Sequence, residues 1–271
     1  MKLTEIYSNA IKWPFSNIKA LLIFGIVLII GSLSTFVPAL IGQPTTYSPL
    51  KIIFAILSII VAFITGGYLI SLIKTSINLS DEIPCISLRT NLIDGAKLFI
   101  VALVYIVVYA IILFVVGYAT GGLEAIQIAQ TGITQTAGAV DATAIVNLIP
   151  TKDLLGLGAT AAIGLILAII FGIFLNISEC RLAKNDKIGD AINLGNVFDD
   201  INAIGWGKYI AWYILLIIIT LVIGIIIGVI ISLLIAVHVG FIGIIINALI
   251  VAPFLQMFAA RALGLLYSEV A

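Results

Sequence analysis

The sequence predicts an all-α, polytopic membrane helix bundle, and three observations carry that prediction. Of the 271 residues, 62% are hydrophobic and only 10% are charged, whereas soluble domains are about one-quarter charged. The mean hydropathy is +1.29, and the apolar residues are gathered into long stretches without Asp, Glu, Lys or Arg. A soluble core cannot hold this much apolar surface, so lipid must surround much of the chain.

Each uncharged stretch is long enough to cross a bilayer, because a hydrocarbon core of about 30 Å needs roughly 20 helical residues. The six predicted transmembrane helices cover residues 20–41, 52–73, 98–119, 154–177, 209–237 and 239–260. The last two form one uncharged run that would measure roughly 78 Å as a single helix. We therefore expect a break near His238 and Gly240, and one integral membrane domain over residues 1–271.

The distribution of basic residues predicts the orientation, because short loops rich in Lys and Arg stay cytoplasmic. Only Lys51 and Lys152 of the 13 basic residues fall on one side of the predicted spans. The others share the opposite side: Lys2, Lys12, Lys19, Lys74, Arg89, Lys97, Arg181, Lys184, Lys187, Lys208 and Arg261. This bias predicts a multi-pass protein of the cell membrane with both termini in the cytoplasm.

The six spans are predicted to form three helical hairpins. Lys19, Lys97 and Lys208 each stand at the cytoplasmic start of an outgoing span, where we expect them to act as interface anchors. A segment of mixed polarity precedes each lysine and predicts a short amphipathic helix in the cytoplasmic interface. The apolar positions of these segments are Ile6, Ala10 and Trp13; Leu88, Leu92 and Phe99; and Ile188, Ile192, Phe198 and Ile201.

The segment 121–153 is predicted to be an extracytoplasmic insertion in the second hairpin. It is rich in Thr, Ala, Gly and Gln and contains a single lysine. This composition is typical of a weakly ordered loop or of short surface helices. We expect Asp141 to cap a helix that ends before Pro150.

Small residues recur at every fourth position in two of the predicted spans. In lipid, such residues let helix backbones approach closely and so mark helix-packing surfaces. The stripes include Gly164, Ala168 and Gly172 in the fourth span, and Gly224, Gly228 and Ser232 in the fifth. We interpret both as seams within the chain, with dimerisation as the alternative.

Polar residues inside the predicted spans are few. Asn176, Asn247 and Pro253 are the candidates for lining a polar cavity. Asn247 is expected to make an interhelical hydrogen bond, and Pro253 to kink the sixth span and free a carbonyl near Leu249. Glu179 lies just beyond the fourth span, where we expect a solvated rim, with pairing to an arginine or lysine of a neighbouring hairpin as the alternative.

The residues predict no catalytic, cofactor-binding or metal-binding site. His238 is the only histidine, and a metal site needs three or four ligands. The sequence has no phosphate-binding glycine loop, no Ser/His/Asp set and no HExxH motif. The net charge of zero argues against a nucleic-acid partner. We expect a protein that is not an enzyme and has no cofactor, with the lipid bilayer, another membrane protein or a second copy of itself as partners.

Several short motifs resemble one known family. They are Gly67-Tyr68-Leu69, Asp81-Glu82-Ile83-Pro84, Gly95-Ala96-Lys97-Leu98-Phe99, Arg181-Leu182-Ala183 and Asp190-Ala191-Ile192. The sequence is similar in these motifs to the domain-of-unknown-function 4013 family of prokaryotic, largely archaeal, multi-spanning membrane proteins. The resemblance implies a membrane protein of the same type and brings no established activity with it.

Two functions remain in competition. The first is a non-enzymatic membrane scaffold or accessory component that works through helix packing. The alternative is a transporter or permease for a small neutral or lipidic solute. A continuous polar cavity that reaches Asn247 would favour transport, whereas a solid core would favour the packing role.

Overall fold

A computed structural model of the chain describes residues 1–33, 49–135, 146–236 and 240–271. These residues are predominantly helical and contain no β-strand, as lipid requires of a chain that cannot form a closed barrel. The principal helices are α1 (Leu3–Lys12), α2 (Ile18–Gly31), α3 (Pro49–Ile77), α4 (Leu88–Thr120), α5 (Gly122–Gln135), α6 (Thr151–Asn185), α7 (Ile188–Ala191), α8 (Leu194–Ile204), α9 (Trp206–Ala236), α10 (Gly240–Ile246) and α11 (Ala252–Tyr267). A 3₁₀ turn over Trp13–Asn17 links α1 to α2, and a π-helical segment over Asn247–Val251 links α10 to α11.

Within the described residues, six helical stretches are long and apolar enough to cross a membrane, which confirms the predicted fold class and number of spans. They are Leu3–Gly31, Ile52–Ile77, Leu88–Thr120, Thr151–Asn185, Trp206–Ala236 and Asn247–Tyr267. The first begins well before residue 20, and residues 34–41 of the predicted span lie outside the described residues. The fourth continues eight residues past its predicted end at Ile177, because helix formation does not stop where the hydropathy falls. The break expected near His238 concerns residues 237–239, which lie outside the described residues.

The helices form two compact units. The first contains Met1–Val101 and Asn176–Ala271, and the second contains Ala102–Leu175. In the first unit, α11 packs on α3 and α1, and α2 packs on α3. The Phe24 and Tyr68 rings meet edge to face, with centroids 4.8 Å apart, in the geometry that aromatic pairs prefer. The core therefore lies around α11, which is mostly buried from Met257 to Tyr267, and around the helices that pack on it.

Helices α3 and α4 cross at a pair of glycines in the first unit. A Cβ added at Gly67 would lie 2.6 Å from the carbonyl carbon of Asn91, and one at Gly95 would lie 2.6 Å from that of Phe63. Both distances are shorter than real Cβ contacts, and the obstacle in each case is backbone. Only glycine at these two positions permits the observed approach of the two helices.

Pro253 sets the geometry of the last helix. Because proline has no N–H, Leu249 has no i+4 backbone donor, and the helix widens into the π-helical segment just before it. The Ala252 N–H donates to the Asn247 carbonyl within that segment. A Cβ at Gly25 would lie 2.8 Å from the Leu249 carbonyl carbon, so α2 packs directly on the altered backbone.

The second unit is held by contacts between the outer parts of α4 and α6. The Tyr109 hydroxyl donates to the Gly164 carbonyl at 3.2 Å, and the Tyr109 and Phe171 ring centroids are 5.8 Å apart. The hydroxyls of Thr120 and Thr160 lie 2.6 Å apart. These polar contacts between helices are of the kind that stabilise helix pairs in lipid.

The predicted insertion at 121–153 begins as a regular helix. Gly121 has φ +81°, a backbone conformation that favours glycine, and it turns the chain from α4 into the 14-residue helix α5. Residues 136–145, including Asp141, lie outside the described residues. The placement of this segment on the outer side stays a prediction.

The first predicted amphipathic segment has its apolar face buried. Ile6 and Ala10 of α1 are fully buried, and Trp13 of the following 3₁₀ turn is 4% exposed. In the second segment, by contrast, no separate short helix forms: α4 begins at Leu88 and runs without interruption. Leu88 and Leu92 are exposed, which leaves this apolar face open to a membrane interface.

In the third amphipathic segment, the face that is buried differs from the apolar face predicted for the interface. Helix α8 buries Val197, Ile201 and Ile204. Of the positions predicted for the interface, Ile201 is buried, whereas Ile192 and Phe198 are exposed. The interfacial position of these helices and the threefold hairpin repeat stay predictions.

Candidate functional site

Arg261 of α11 is the most enclosed charged residue in the described part of the chain, with 1% exposure. Its Nε donates to Asn9 Oδ1 at 2.9 Å, Nη1 to the Ser80 carbonyl at 2.6 Å, and Nη2 to Asp81 Oδ1 at 2.6 Å. The guanidinium carbon lies 4.9 Å from the centre of the Trp13 ring. We call these five residues the Arg261 clamp.

The Arg261 clamp connects parts of the chain that are remote in sequence. A buried guanidinium is costly unless its N–H groups are paired, and arginine's planar fork can serve several acceptors at once. Here the acceptors come from α1 and from the segment that follows α3. Nothing in the local sequence around Arg261 reveals these partners, which is why the sequence places it only at the cytoplasmic edge of the last span.

A second arginine makes a similar connection at the end of α6. Arg181 Nη1 donates to Asp200 Oδ2 at 2.6 Å, and Nε donates to the Asp190 carbonyl at 2.9 Å. The Tyr267 hydroxyl also donates to Asp200 Oδ2, at 2.7 Å. We call this set the Arg181 clamp. It joins α6, α8 and the end of α11.

The predicted anchor Lys208 is engaged in a terminal ion-pair cluster. Lys208 Nζ lies 2.6 Å from Glu269 Oε2, and the Met1 ammonium lies 2.6 Å from Glu269 Oε1. Partial burial raises the pKa of the Glu269 carboxyl, but the hydrogen bonds from both ammonium groups outweigh it and hold that pKa below its ordinary value. The two ends of the chain therefore lie side by side.

The other predicted anchors behave differently from one another. Lys97 Nζ lies 2.6 Å from Asp186 Oδ1 and 3.3 Å from Asp94 Oδ1, so it links α4 to the residue after α6. Lys19 is exposed and lines an open cavity of about 390 Å³ together with Tyr68. Lys97 and Lys208 thus hold chain segments together, whereas Lys19 has the free character expected of an interface anchor.

A smaller cavity of about 160 Å³ lies in the first unit, among α3, α6, α9 and α11. Its polar lining consists of Asn176, Glu179, Trp212 and Gln256. The remaining walls are apolar and include Leu69, Leu216 and Ala259. We call it the Glu179 cavity.

Glu179 has no ion-pair partner among the described residues. The alternative of a pair with an arginine or lysine is therefore not formed there, and Arg181, two residues further on, is bound to Asp200. The Trp212 indole Nε1 is also buried without an acceptor among the described residues. The cavity thus combines an uncompensated carboxyl, two amides and an indole within apolar walls.

The three residues predicted to line a polar cavity are not brought together. Asn176 lines the Glu179 cavity, but Asn247 and Pro253 do not. Asn247 is partly exposed and Pro253 is buried, both in the π-helical region described above. Asn176, Asn247 and Pro253 therefore do not line one cavity. The last helix contributes Gln256, three residues beyond Pro253, to the cavity that Asn176 lines.

The small-residue stripe of α6 is in close contact with α4 at two glycines. A Cβ added at Gly156, which has the same four-residue spacing, would lie 2.9 Å from the Thr120 carbonyl carbon. A Cβ added at Gly164 would lie 3.0 Å from Leu113 Cδ1, so α4 packs closely there. Gly172 is partly exposed, and Ala168 is exposed.

Among the described residues, the small-residue stripe of α9 makes no close contact at its two glycines. A Cβ added at Gly224 or Gly228 meets no described atom within 4 Å. Ser232 is exposed and donates its hydroxyl to the Gly228 carbonyl at 2.8 Å within the same helix. The spacing is right for a helix contact, but the helices of the described chain make their contacts elsewhere. Dimerisation through this face stays a prediction.

Further close contacts occur at glycines outside the predicted stripes. Besides the crossing of α3 and α4, Gly264 lies against α3, where an added Cβ would be 2.8 Å from the Ile73 carbonyl oxygen. Gly25 and Gly95 have no small residue four positions away, whereas Gly67 precedes Ser71 and Gly264 follows Ala260 at that spacing. The four-residue spacing therefore does not distinguish glycines that are packed from those that are not. Within the described ranges, no group of three or more His, Cys, Asp or Glu side chains is placed to hold a metal ion.

Comparison with known proteins identifies a family. The family described as "Protein of unknown function (DUF4013)" matches residues 50–236. A search of curated proteins and a search of solved structures gave no match. The matched region covers well over half of the chain and contains every motif of the resemblance noted in the sequence. That resemblance is confirmed, and the chain belongs to the DUF4013 family.

Proposed function

We propose that this protein is a non-enzymatic membrane component, a scaffold or accessory component that offers its apolar helix faces to another membrane protein or to a second copy of itself. The observation that carries the proposal is the contrast between the cross-linked polar ends and the open helix faces. The Arg261 clamp ties α11 to a residue 252 positions away. In α9, by contrast, the most apolar 18-residue window has no buried residue.

The polar clamps supply the rigidity that a scaffold needs. Hydrogen bonds to charged groups contribute about 1.5–3 kcal/mol each, more than neutral ones. Both arginines hold acceptors on separate helices or connecting segments. The helices are thereby fixed at their polar ends, while their apolar lengths remain available for contact with lipid or protein.

The same contacts support the proposal that both termini are cytoplasmic. The Met1 ammonium pairs with Glu269 near the other end of the chain. The Arg261 clamp brings α1 and the segment after α3 to the end of the last span. Lys2, Lys12 and Arg261 lie in or beside these parts and belong to the eleven basic residues that share one side of the predicted spans, the feature that keeps loops inside. We place the protein in the cell membrane on this basis.

A permease for a small neutral or lipidic solute is the second candidate. The Glu179 cavity favours it, because it is a polar site among membrane-crossing helices. The cavity lining does not include Asn247, however, so it does not supply the continuous polar path on which transport was expected to depend. The sequence has no HExxH motif, no Ser/His/Asp set and no phosphate-binding glycine loop, which supports the non-enzymatic part of the proposal.

Site-specific photo-crosslinking in native membranes tests the scaffold proposal. A photoreactive residue at Ile225, which is 57% exposed on α9, should give a discrete adduct with one membrane protein or with a second copy of this chain. The same residue at Phe24, which is fully buried, serves as the control and should give no protein adduct. Adducts with lipid alone at Ile225 and at Val229 would contradict the proposal. Reporter tags on the two ends should both report the cytoplasm.

A further inference from the structure

We propose that the Glu179 cavity binds a small alkylammonium ion, with the carboxylate of Glu179 as its counter-ion and the Trp212 ring and the apolar walls against its alkyl groups. This site goes beyond the scaffold role and does not depend on it. The ligand class follows from the charge, the size and the walls of the cavity, taken in turn.

The charge of the cavity calls for a cation. Glu179 has no ion-pair partner among the described residues. The nearest basic residue in sequence, Arg181, is held by Asp200 and by the Asp190 carbonyl. Carboxyls among membrane helices are costly unless they pair or face a cavity that is used. A ligand with one positive charge supplies what the protein does not.

The size of the cavity indicates an organic ion. Its volume is about 160 Å³, and an apolar cavity of about 150 Å³ accommodates benzene. An ion of about five to seven non-hydrogen atoms matches this volume, whereas a bare metal ion would leave most of it empty. The described residues also lack the group of three or more acidic, His or Cys ligands that would hold a metal ion there.

The walls of the cavity suit the two parts of an alkylammonium ion. Trp212 lines one side, and indole rings attract ammonium groups through cation–π interactions. The amide oxygens of Asn176 and Gln256 are acceptors for an N–H or hydroxyl group. Leu69 and Ala259 present apolar surface for the alkyl groups. Small-molecule sites usually combine such apolar walls with a few polar groups that orient the ligand.

Calorimetric titration of the full chain in detergent tests the inference. The probes are choline and tetramethylammonium chloride, against potassium chloride at equal ionic strength and against 3,3-dimethylbutan-1-ol, the uncharged isostere of choline. We expect saturable binding of both ammonium ions and at least tenfold weaker binding of the alcohol, a difference of about 1.4 kcal/mol or more. Equal binding of choline and the alcohol, or binding of neither ammonium ion, would overturn the proposal.

Three variants make the test specific to the cavity. Glu179→Gln keeps the shape and removes the charge, so choline binding should fall at least tenfold. Glu82→Gln removes an exposed carboxyl and should leave binding unchanged. Ala259→Leu fills the cavity and keeps the carboxyl, so it should also abolish binding. An unchanged melting midpoint in Ala259→Leu and Glu179→Gln separates loss of the site from loss of the fold. Undiminished choline binding by Glu179→Gln would refute the inference.

The ammonium group can belong to a free solute or to a lipid headgroup, and delipidation distinguishes the two. If a lipid headgroup fills the cavity, native mass spectrometry should show a bound aminolipid that Glu179→Gln loses, and choline should bind only after delipidation. If the ligand is a free solute, choline binding should be the same before and after delipidation. Absence of choline binding in both preparations would contradict the site itself.

Discussion

Glycine-to-alanine substitutions at two helix positions should change stability in opposite directions. At Gly95, the added methyl group would lie 2.6 Å from the carbonyl carbon of Phe63, and backbone cannot rotate away as a side chain does. Overpacking costs about 1–3 kcal/mol, and the backbone obstacle places this case at the upper end. Alanine recovers about 1 kcal/mol of helix propensity. The net destabilisation of Gly95→Ala is therefore about 2 kcal/mol.

The matched control is Gly224→Ala in α9. No described atom lies within 4 Å of an added Cβ there, so only the helix-propensity gain remains. Gly67→Ala should resemble Gly95→Ala, because both glycines serve one crossing. The double substitution should cost less than the sum of the two single ones, since the first methyl group already separates the helices and makes room for the second.

Thermal unfolding in detergent, followed by tryptophan fluorescence, measures these effects. A loss of about 2 kcal/mol lowers the midpoint of a chain of this size by roughly 4–8 °C. Gly224→Ala should leave the midpoint unchanged or raise it by a few degrees. The reasoning fails if Gly224→Ala lowers the midpoint as much as Gly95→Ala does, because α9 would then be packed along the face that the structure leaves open.

Two further substitution pairs probe the polar contacts. Arg261→Met removes three hydrogen bonds and should destabilise the protein by about 3 kcal/mol. Asp81→Asn should cost under about 1 kcal/mol, because Asp81 is 83% exposed. Equal effects of the two substitutions in chemical unfolding would argue against the Arg261 clamp. The lowered pKa of Glu269 means that its ion pair with Lys208 stabilises the fold above the ordinary carboxyl pKa of 4.5 and is lost as the pH falls through the folded value. Glu269→Gln should therefore lower the melting midpoint at pH 7 and lose this effect once the pH is below the lowered folded pKa of Glu269, and an effect that persists there would contradict this assignment.

The fold class was predictable because the hydrocarbon core of the bilayer requires apolar residues along the whole length of a span, and hydropathy measures that property residue by residue. The residues that hold the helices together were not predictable in the same way. Gly224 and Gly228 have the spacing of a packing seam, yet an added Cβ meets nothing at either. Gly67 has Ser71 four positions away and Gly95 has no small residue at that distance, yet both lie in backbone contact. What separates them is the position of the neighbouring helix, which hydropathy and spacing do not encode.

The amphipathic segments show the same limit at shorter range. In α1 the predicted face is buried, because the 3.6-residue period alone decides which residues point the same way. In α8, two faces compete: Phe198 and Val197 are both apolar, and the structure buries Val197. The choice depends on which face meets the rest of the first unit, a contact between residues distant in sequence.

Glu179 shows how the end of a predicted span affects the functional interpretation. Hydropathy ends the fourth span at Ile177 and so assigns Glu179 to a rim where water and basic residues would neutralise it. The helix continues to Asn185, so Glu179 lies within it, and its side chain lines a cavity together with Trp212 and Gln256. A carboxyl in that position needs a cation that the described chain does not provide. If choline binds there and the photo-crosslinked partner is retained, the scaffold contains a ligand site that its partner can sense. If choline does not bind, the Glu179 carboxyl is neutralised by its own proton, and the cavity is a packing defect among the four surrounding helices.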